Sequence, residues 1–142
     1  MVILDTDHIS LLERRATSAQ GRKLGERLDA VPAIERAATI VSYEEQLRGW
    51  LSILAKARKM TQQIEAYRRL KRQLENYCRM LVLDFEERAA TEFQRLVKAR
   101  LRIATMDLKI AAIAVVHDAT LLTRNLADFR RVPGLKVEDW TA

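Results

Sequence analysis

The sequence predicts an α/β fold, with a central parallel sheet and helices on both faces. Three observations carry this. Short apolar runs rich in β-branched residues alternate with longer amphipathic stretches along the chain. The runs stand too far apart for hairpins, so each return to the sheet requires a crossover. Acids also follow the runs. Asp5 closes Val2-Ile3-Leu4, Glu45 follows Ile40-Val41, and Asp128 follows the run that ends at Thr123, while Asp107 opens an apolar stretch. Carboxyl ends of buried parallel strands face the crevice where open α/β sheets bind ligands.

The strands are expected at Val2–Leu4, Thr39–Val41, Met80–Leu83, Ala119–Thr123 and Leu135–Val137. Between them lie the helices. Ile9–Arg15 is short, and Leu24–Leu28 belongs to a second one. Tyr43–Ala57 carries Leu47, Trp50, Leu51 and Leu54 on one face. A further amphipathic run carries Ile64, Tyr67, Leu74, Tyr77 and Cys78. Glu86–Arg100 brings Ala89, Phe93, Leu96 and Val97 together, and Leu108–His117 is apolar nearly all round, as a buried helix is. The helices from Ser42 to Tyr77 form a long insertion between two strands, suited to an αα-hairpin.

With 142 residues the chain suits one domain, 1–142, with a real core. No apolar run approaches the roughly 18 residues of a membrane span. Met1-Val2-Ile3-Leu4-Asp5 lacks the basic start of a signal peptide. Cys78 is the single cysteine, which excludes an intramolecular disulfide and a cysteine-built zinc cage and fits a reducing cytoplasm. Core packing is its expected use.

Net charge is +6, and its distribution is uneven. Gln46 to Leu83 holds nine basic residues against Glu65 and Glu75, or +7, whereas the rest of the chain holds 16 basic and 17 acidic residues, or −1. Arg68, Arg69, Lys71 and Arg72 form the densest part. Such a segment suits a polyanion such as RNA, and equally a solvated helix face.

Each acid has a purely structural use as well. Asp5 suits a helix N-cap, with Thr6 and Asp7 as alternatives. Ser42-x-x-Glu45 reads as a capping box. Asp107 suits the first turn of the apolar helix, and Asp128 suits an Asx turn. Their joint placement beside separate strands favours a shared site. Converging carboxylates need a counter-charge, and a hard divalent cation with oxygen ligands supplies it. Metal ions about 3.5–4 Å apart can also activate water for attack on a phosphodiester. The two histidines, His8 and His117, form no nuclease acid–base pair; His117 is expected at a helix end on the surface, and His8 follows the first acid, where contact with substrate is the less favoured use.

Four segments together resemble one family: Leu4-Asp5-Thr6-Asp7, Ser42-x-x-Glu45-x-x-x-Gly49, Asp107-x-x-Ile110-Ala111-Ala112-x-Ala114, and Thr123-Arg124-Asn125-x-x-Asp128-Phe129 followed by Val132-Pro133-Gly134-Leu135. They are similar to PIN-domain ribonucleases, and among these to the VapC-type toxins of bacterial toxin–antitoxin pairs. The resemblance implies a PIN-like three-layer α/β/α fold with a central parallel sheet and a helical hairpin insertion. It implies a metal-dependent endoribonuclease using Mg²⁺, or Mn²⁺, inhibited by a small antitoxin and assembled as a homodimer. Asp5 and Asp107 would be the firmest metal ligands, Glu45 would support the metal directly or through water, and Asp128 would complete the ring. Thr123 and Asn125 would orient ligands or waters. Asp7 stands where the family often has asparagine, and Glu44 adjoins Glu45, so the roles of both are open. The rival readings are a non-catalytic RNA- or protein-binding module, and a phosphatase with Asp5 as nucleophile and Asp7 as general acid.

Overall fold

Ile3 and Leu4 send their side chains to opposite faces of one sheet, and the same two-residue alternation divides Ala37 from Ala38 and Leu121 from Leu122. All six are buried, so the sheet is covered on both sides. A computed structural model describes residues 1–142. In chain order the elements are β1 (Val2–Leu4), α1 (Thr6–Glu13), α2 (Ala19–Asp29), β2 (Arg36–Thr39), α3 (Ile40–Lys56), α4 (Met60–Cys78), β3 (Leu81–Leu83), α5 (Glu87–Lys98), α6 (Thr105–Val116), β4 (Thr120–Leu122), α7 (Leu126–Phe129) and β5 (Lys136–Glu138).

The five strands are all parallel, in the order β3-β2-β1-β4-β5. The chain runs outward from β1 through β2 to β3, then crosses to the other side of β1 to form β4 and β5. The order therefore reverses between β1 and β4. That switch point opens a crevice at the strands' carboxyl ends, because the connections leave in opposite directions.

Leu4, Ile9, Leu11, Leu24, Leu28, Ala38, Tyr77 and Leu122 form the core on one face, under α1, α2 and the end of α4. The larger core on the other face gathers Ile3, Val41, Leu96, Leu121 and Phe129 around α6. Ile110 to Ala114 of α6 are all fully buried, as an all-apolar helix requires. Small residues let elements approach closely. A Cβ at Gly21 would lie 2.4 Å from the Leu11 carbonyl oxygen, so glycine permits the contact of α2 with α1. Gly134 adopts φ +80° in the turn after Pro133, a conformation that favours glycine. No helix is long and apolar enough to cross a membrane.

Three sequence expectations shift. The second strand is Arg36–Thr39, not Thr39–Val41. Thr39 is the N-cap of α3: its hydroxyl accepts the Ser42 N–H at 3.1 Å, drawing Ile40 and Val41 into the helix despite their β-branching. The Ser42/Glu45 capping box is therefore absent, and the Glu45 side chain is left for another partner. Cys78 is exposed at the end of α4, not packed in the core.

The α3–α4 hairpin is present, and its two helices pack together. Its buried α4 residues are Ala66, Gln73 and Tyr77, spaced to face α3, with the Tyr43 and Tyr77 rings edge to face at 5.1 Å. Leu51, Ile64, Tyr67 and Leu74, expected among the packed apolar residues, are instead 45–59% exposed.

Candidate metal centre

Asp5 leaves β1 and caps α1. Its Oδ1 accepts the Thr6 N–H at 2.8 Å, which answers one of the orphan donors at the helix start. Its Oδ2 accepts the Thr123 hydroxyl at 2.9 Å across the switch point. The structural and functional readings of Asp5 thus hold together, since one oxygen fixes the helix and the other faces the crevice. Thr123 follows β4 and is fully buried, and its Oγ1 also accepts the Asn125 N–H at 3.0 Å.

Glu45 reaches the same place from α3. Its Oε1 accepts the Thr6 hydroxyl at 2.9 Å, with the Ser42 hydroxyl 3.1 Å from that of Thr6. Asp107 arrives from the first turn of α6, whose dipole favours an anion there. Ligand oxygens of Asp5, Glu45 and Asp107 all lie within 4.8 Å of one another.

Asp128 stands outside this trio. Its carboxylate accepts from Asn125 Nδ2 at 2.9 Å and lies 3.7 Å from the Arg131 guanidinium. The side chain that caps α7 belongs to Asn125, which accepts the Asp128 N–H at 3.4 Å, so the Asx role falls to Asn125 and not to Asp128. Asp128 still repels Asp107 through space, which places its charge at the edge of the site.

Asp7 is tied down as an acceptor. His8 Nδ1 lies 2.8 Å from its Oδ1, and the Arg124 N–H donates to its Oδ2 at 3.0 Å. His8 is fully buried, with Nε2 accepting the Trp140 N–H at 3.2 Å. It packs inside the fold, in keeping with the low weight that the sequence gives it as a substrate contact. His117 is exposed after α6, as expected.

The electrostatics show the cost of this convergence. Burial, then repulsion from Asp7, pushes the Asp5 pKa up to about 7 against the pull of Thr123 and Thr6. Burial, then Glu45, Asp128 and Asp7, raises Asp107 to about 6. All three ligands are hard carboxylate oxygens, with no imidazole or thiolate among them. That donor set fits Mg²⁺, Mn²⁺ or Ca²⁺ and not a structural zinc.

Glu44 has a different neighbour, pairing with Arg48 one turn along α3. Glu45→Gln is therefore expected to lower any metal-dependent activity far more than Glu44→Gln, which removes only an exposed helix pair. Measuring metal affinity and rate in both variants checks this, and equal losses would contradict the geometry. Thr6 and Ser42, which hold Glu45, had weak sequence signals because each also reads as a helix-start residue.

A switch-point crevice with three convergent oxygen ligands defines a class: α/β domains able to hold a divalent cation between the ends of separate strands. The sequence matches the PIN domain over residues 2–135, and the chain belongs to that family. Ribonuclease VapC1 of Rickettsia felis is 50% identical over 42 residues, covering 30% of this chain and 31% of the relative. Ribonuclease VapC2 of the same organism is 33% identical over 66 residues, covering 44% of this chain and 49% of the relative. The chain thus aligns with about half the length of these relatives or less. The structure of VapBC-1 from nontypeable Haemophilus influenzae superimposes with a TM-score of 0.77 at 22% identity, over 100% of both chains. This likeness shows the PIN-like three-layer α/β/α fold.

Proposed function

We propose that the chain, acting as one domain over residues 1–142, is a metal-dependent endoribonuclease and the toxin of a toxin–antitoxin pair. The observation that carries this is the Asp5, Glu45 and Asp107 trio at the switch point, unaccompanied by an ion-pairing lysine or arginine. Membership of the PIN family and partial identity to two proteins named ribonuclease VapC support it.

Asp5, Glu45 and Asp107 would hold Mg²⁺, with Mn²⁺ as substitute, and Asp128 would add negative charge at the rim. A cation held there would supply an acidified water and charge neutralisation at a phosphoryl group. The chain's own residues set the geometry. Thr123 and Thr6 lock the Asp5 and Glu45 carboxylates by hydrogen bonds at 2.9 Å. Asn125 fixes the Asp128 carboxylate by a hydrogen bond at 2.9 Å.

An antitoxin of small size is the proposed inhibitor, placing a cation among the acids where the metal would sit, and a homodimer is the proposed assembly. The activity belongs in the cytoplasm, where such RNA and such a partner would meet it. The phosphatase reading has lost its general acid, because both Asp7 oxygens are engaged as acceptors.

The test is to incubate the purified chain with matched RNA and DNA strands in EDTA, Mg²⁺ or Mn²⁺ and map the product ends. Internal cuts in RNA alone, and only with metal, support the reading. Hydrolysis of para-nitrophenyl phosphate without RNA cleavage, or RNA binding without cleavage, contradicts it.

Arg68, Arg69, Lys71 and Arg72 are the proposed backbone contacts, and all four are exposed on α4. Arg69 and Arg72 line the hollow beside α1 and α3, whereas Arg68 and Lys71 do not. Replacing all four by glutamine is therefore expected to remove two contacts' worth of salt dependence, about 1.4 in the slope of log affinity against log salt. A salt series of RNA binding in Ca²⁺ measures it, and an unchanged slope would assign the cluster to solvent.

A further inference from the structure

One turn of α1 beyond the acids lies a second hollow. α1 and α3 are joined by successive rungs: Thr6 to Glu45 at 2.9 Å, then Ser10 to Gln46 at 3.2 Å one turn later. A helical turn is about 5.4 Å. At the second rung a hollow of 420 Å³ opens between α1, α3 and α4. Its size lies within the range of roughly 300–1,000 Å³ seen for small-ligand sites. Only two of its eleven lining residues are hydrophobic.

Two independent features mark it as built for a ligand. Gln73 lines it and is 4% exposed; its Nε2 donates to the Tyr43 carbonyl at 3.1 Å, but its Oε1 has no partner. That oxygen is sealed from solvent, so a donor in the hollow reaches it only once the side chain turns outward, a turn that would relieve the cost of an unpaired buried acceptor. Gly49 also lines the hollow, in the interior of a seventeen-residue helix where glycine is unfavourable. A Cβ there would meet nothing within 4 Å, so no protein contact requires glycine. What its missing side chain preserves is open space in the hollow.

We propose that this hollow is a base subsite of the RNA groove, taking one unstacked guanine next to the phosphate at the acids. The proposal rests on the ribonuclease reading. Glu13 supplies a carboxylate at the hollow's edge, and Gln73, turned outward, adds an acceptor. Guanine is the base whose Watson–Crick edge offers two adjacent donors, N1–H and the N2 amino group, to such acceptors. Trp50 contributes an aromatic wall, with the Arg69 guanidinium 5.4 Å from its ring centre. Base stacking on aromatic side chains is the usual means of holding a splayed nucleotide. Arg72 brings positive charge for the adjoining phosphates. The polar, cationic lining favours a nucleotide over the apolar face of a protein helix.

The test compares single-stranded RNAs that differ only in carrying guanine, inosine or adenine at positions flanking the cut. Guanine is expected to exceed inosine in kcat/KM by roughly 10- to 100-fold, the span of one hydrogen bond to a charged acceptor, since inosine lacks only the N2 amino group. Glu13→Gln abolishes that preference, with the larger loss on the guanine RNA. Gly49→Leu fills the hollow, raises KM for the guanine RNA, and folds at least as stably because leucine favours the helix. A second arm reads Trp50 fluorescence in a Trp140→Phe chain in EDTA, where guanosine monophosphate is expected to quench more than inosine monophosphate. If the parent cleaves RNA but neither arm discriminates guanine, the subsite is refuted and the ribonuclease stands. If quenching discriminates but no RNA is cut, the subsite stands and the ribonuclease reading falls. Guanine preference unchanged in both variants, with antitoxin binding weakened instead, would make the hollow a protein-docking site and overturn the proposal.

Discussion

Asp5→Asn and Asp107→Asn are each expected to cut metal-dependent RNA cleavage on the order of 100- to 1,000-fold, as loss of one preorganised electrostatic group does. The fold should survive both changes. In Asp5→Asn the amide oxygen can still accept the Thr6 N–H, and the Thr123 hydroxyl can turn to accept from the amide nitrogen. Asp107 makes no capping hydrogen bond, since the α6 N-cap is Ala104 and has none from a side chain. The loss therefore falls on cation binding and not on packing. Single-turnover cleavage of end-labelled RNA across a Mg²⁺ series measures it. Parent-like rates in either variant would remove that residue from the centre.

The second large effect is on stability, and its sign runs against the usual behaviour of carboxylates. Asp5 is raised from 3.8 to about 7 in the folded protein, and Asp107 from 3.8 to about 6. Folding therefore favours proton uptake by both. The metal-free protein is fully stabilised by this linkage below about pH 4, and that stability is lost as pH rises toward 7. Asp5 is 5% exposed and dominates; Asp107 is only partly buried, and solvent screening reduces its share. The expected loss between pH 5 and pH 8 is on the order of a few kcal/mol. Mg²⁺ should recover stability at pH 8 and do much less at pH 5, where protons compete for the same oxygens. Asp5→Asn should flatten the pH dependence and raise metal-free stability at pH 8. Denaturation midpoints in EDTA and in Mg²⁺ measure all of this. A metal-free protein that grows more stable from pH 5 to pH 8, with Asp5→Asn rising no more than the parent, would contradict the site.

The sequence was most legible where a residue type leaves few structural alternatives. Val-Ile-Leu ending in Asp5, and the all-apolar stretch of α6, each have one economical place in a parallel α/β sheet, and both are found there. Legibility failed where one local interaction decided the outcome. A single hydroxyl contact from Thr39 moved the end of β2 and placed two β-branched residues in a helix. The same contact frees Glu45 from capping, so its side chain meets those of Asp5 and Asp107 in surroundings that the capping-box pattern does not show. Amphipathic spacing on α4 was real, yet the face buried against α3 is the one with Ala66, Gln73 and Tyr77, and not the apolar stripe with Ile64 and Leu74. The burial of His8 is not legible, because no spacing rule shows that the backbone of Trp140 returns to cover it. The hollow beside Gly49 depends on three helices meeting, which no single segment encodes.

Stereospecific sulfur substitution tests the central claim most directly, that Asp5, Glu45 and Asp107 hold a cation acting on an RNA phosphate. One non-bridging oxygen at the mapped cut is replaced by sulfur, and cleavage by the parent chain is followed in Mg²⁺ and in Mn²⁺. Sulfur is a poorer ligand for Mg²⁺ than for the softer Mn²⁺. One of the two diastereomers should resist cleavage in Mg²⁺ and regain it in Mn²⁺, and Asp107→Asn should abolish that recovery. Cleavage of both diastereomers at the unmodified rate in either metal, or undiminished cutting in EDTA, would contradict the account.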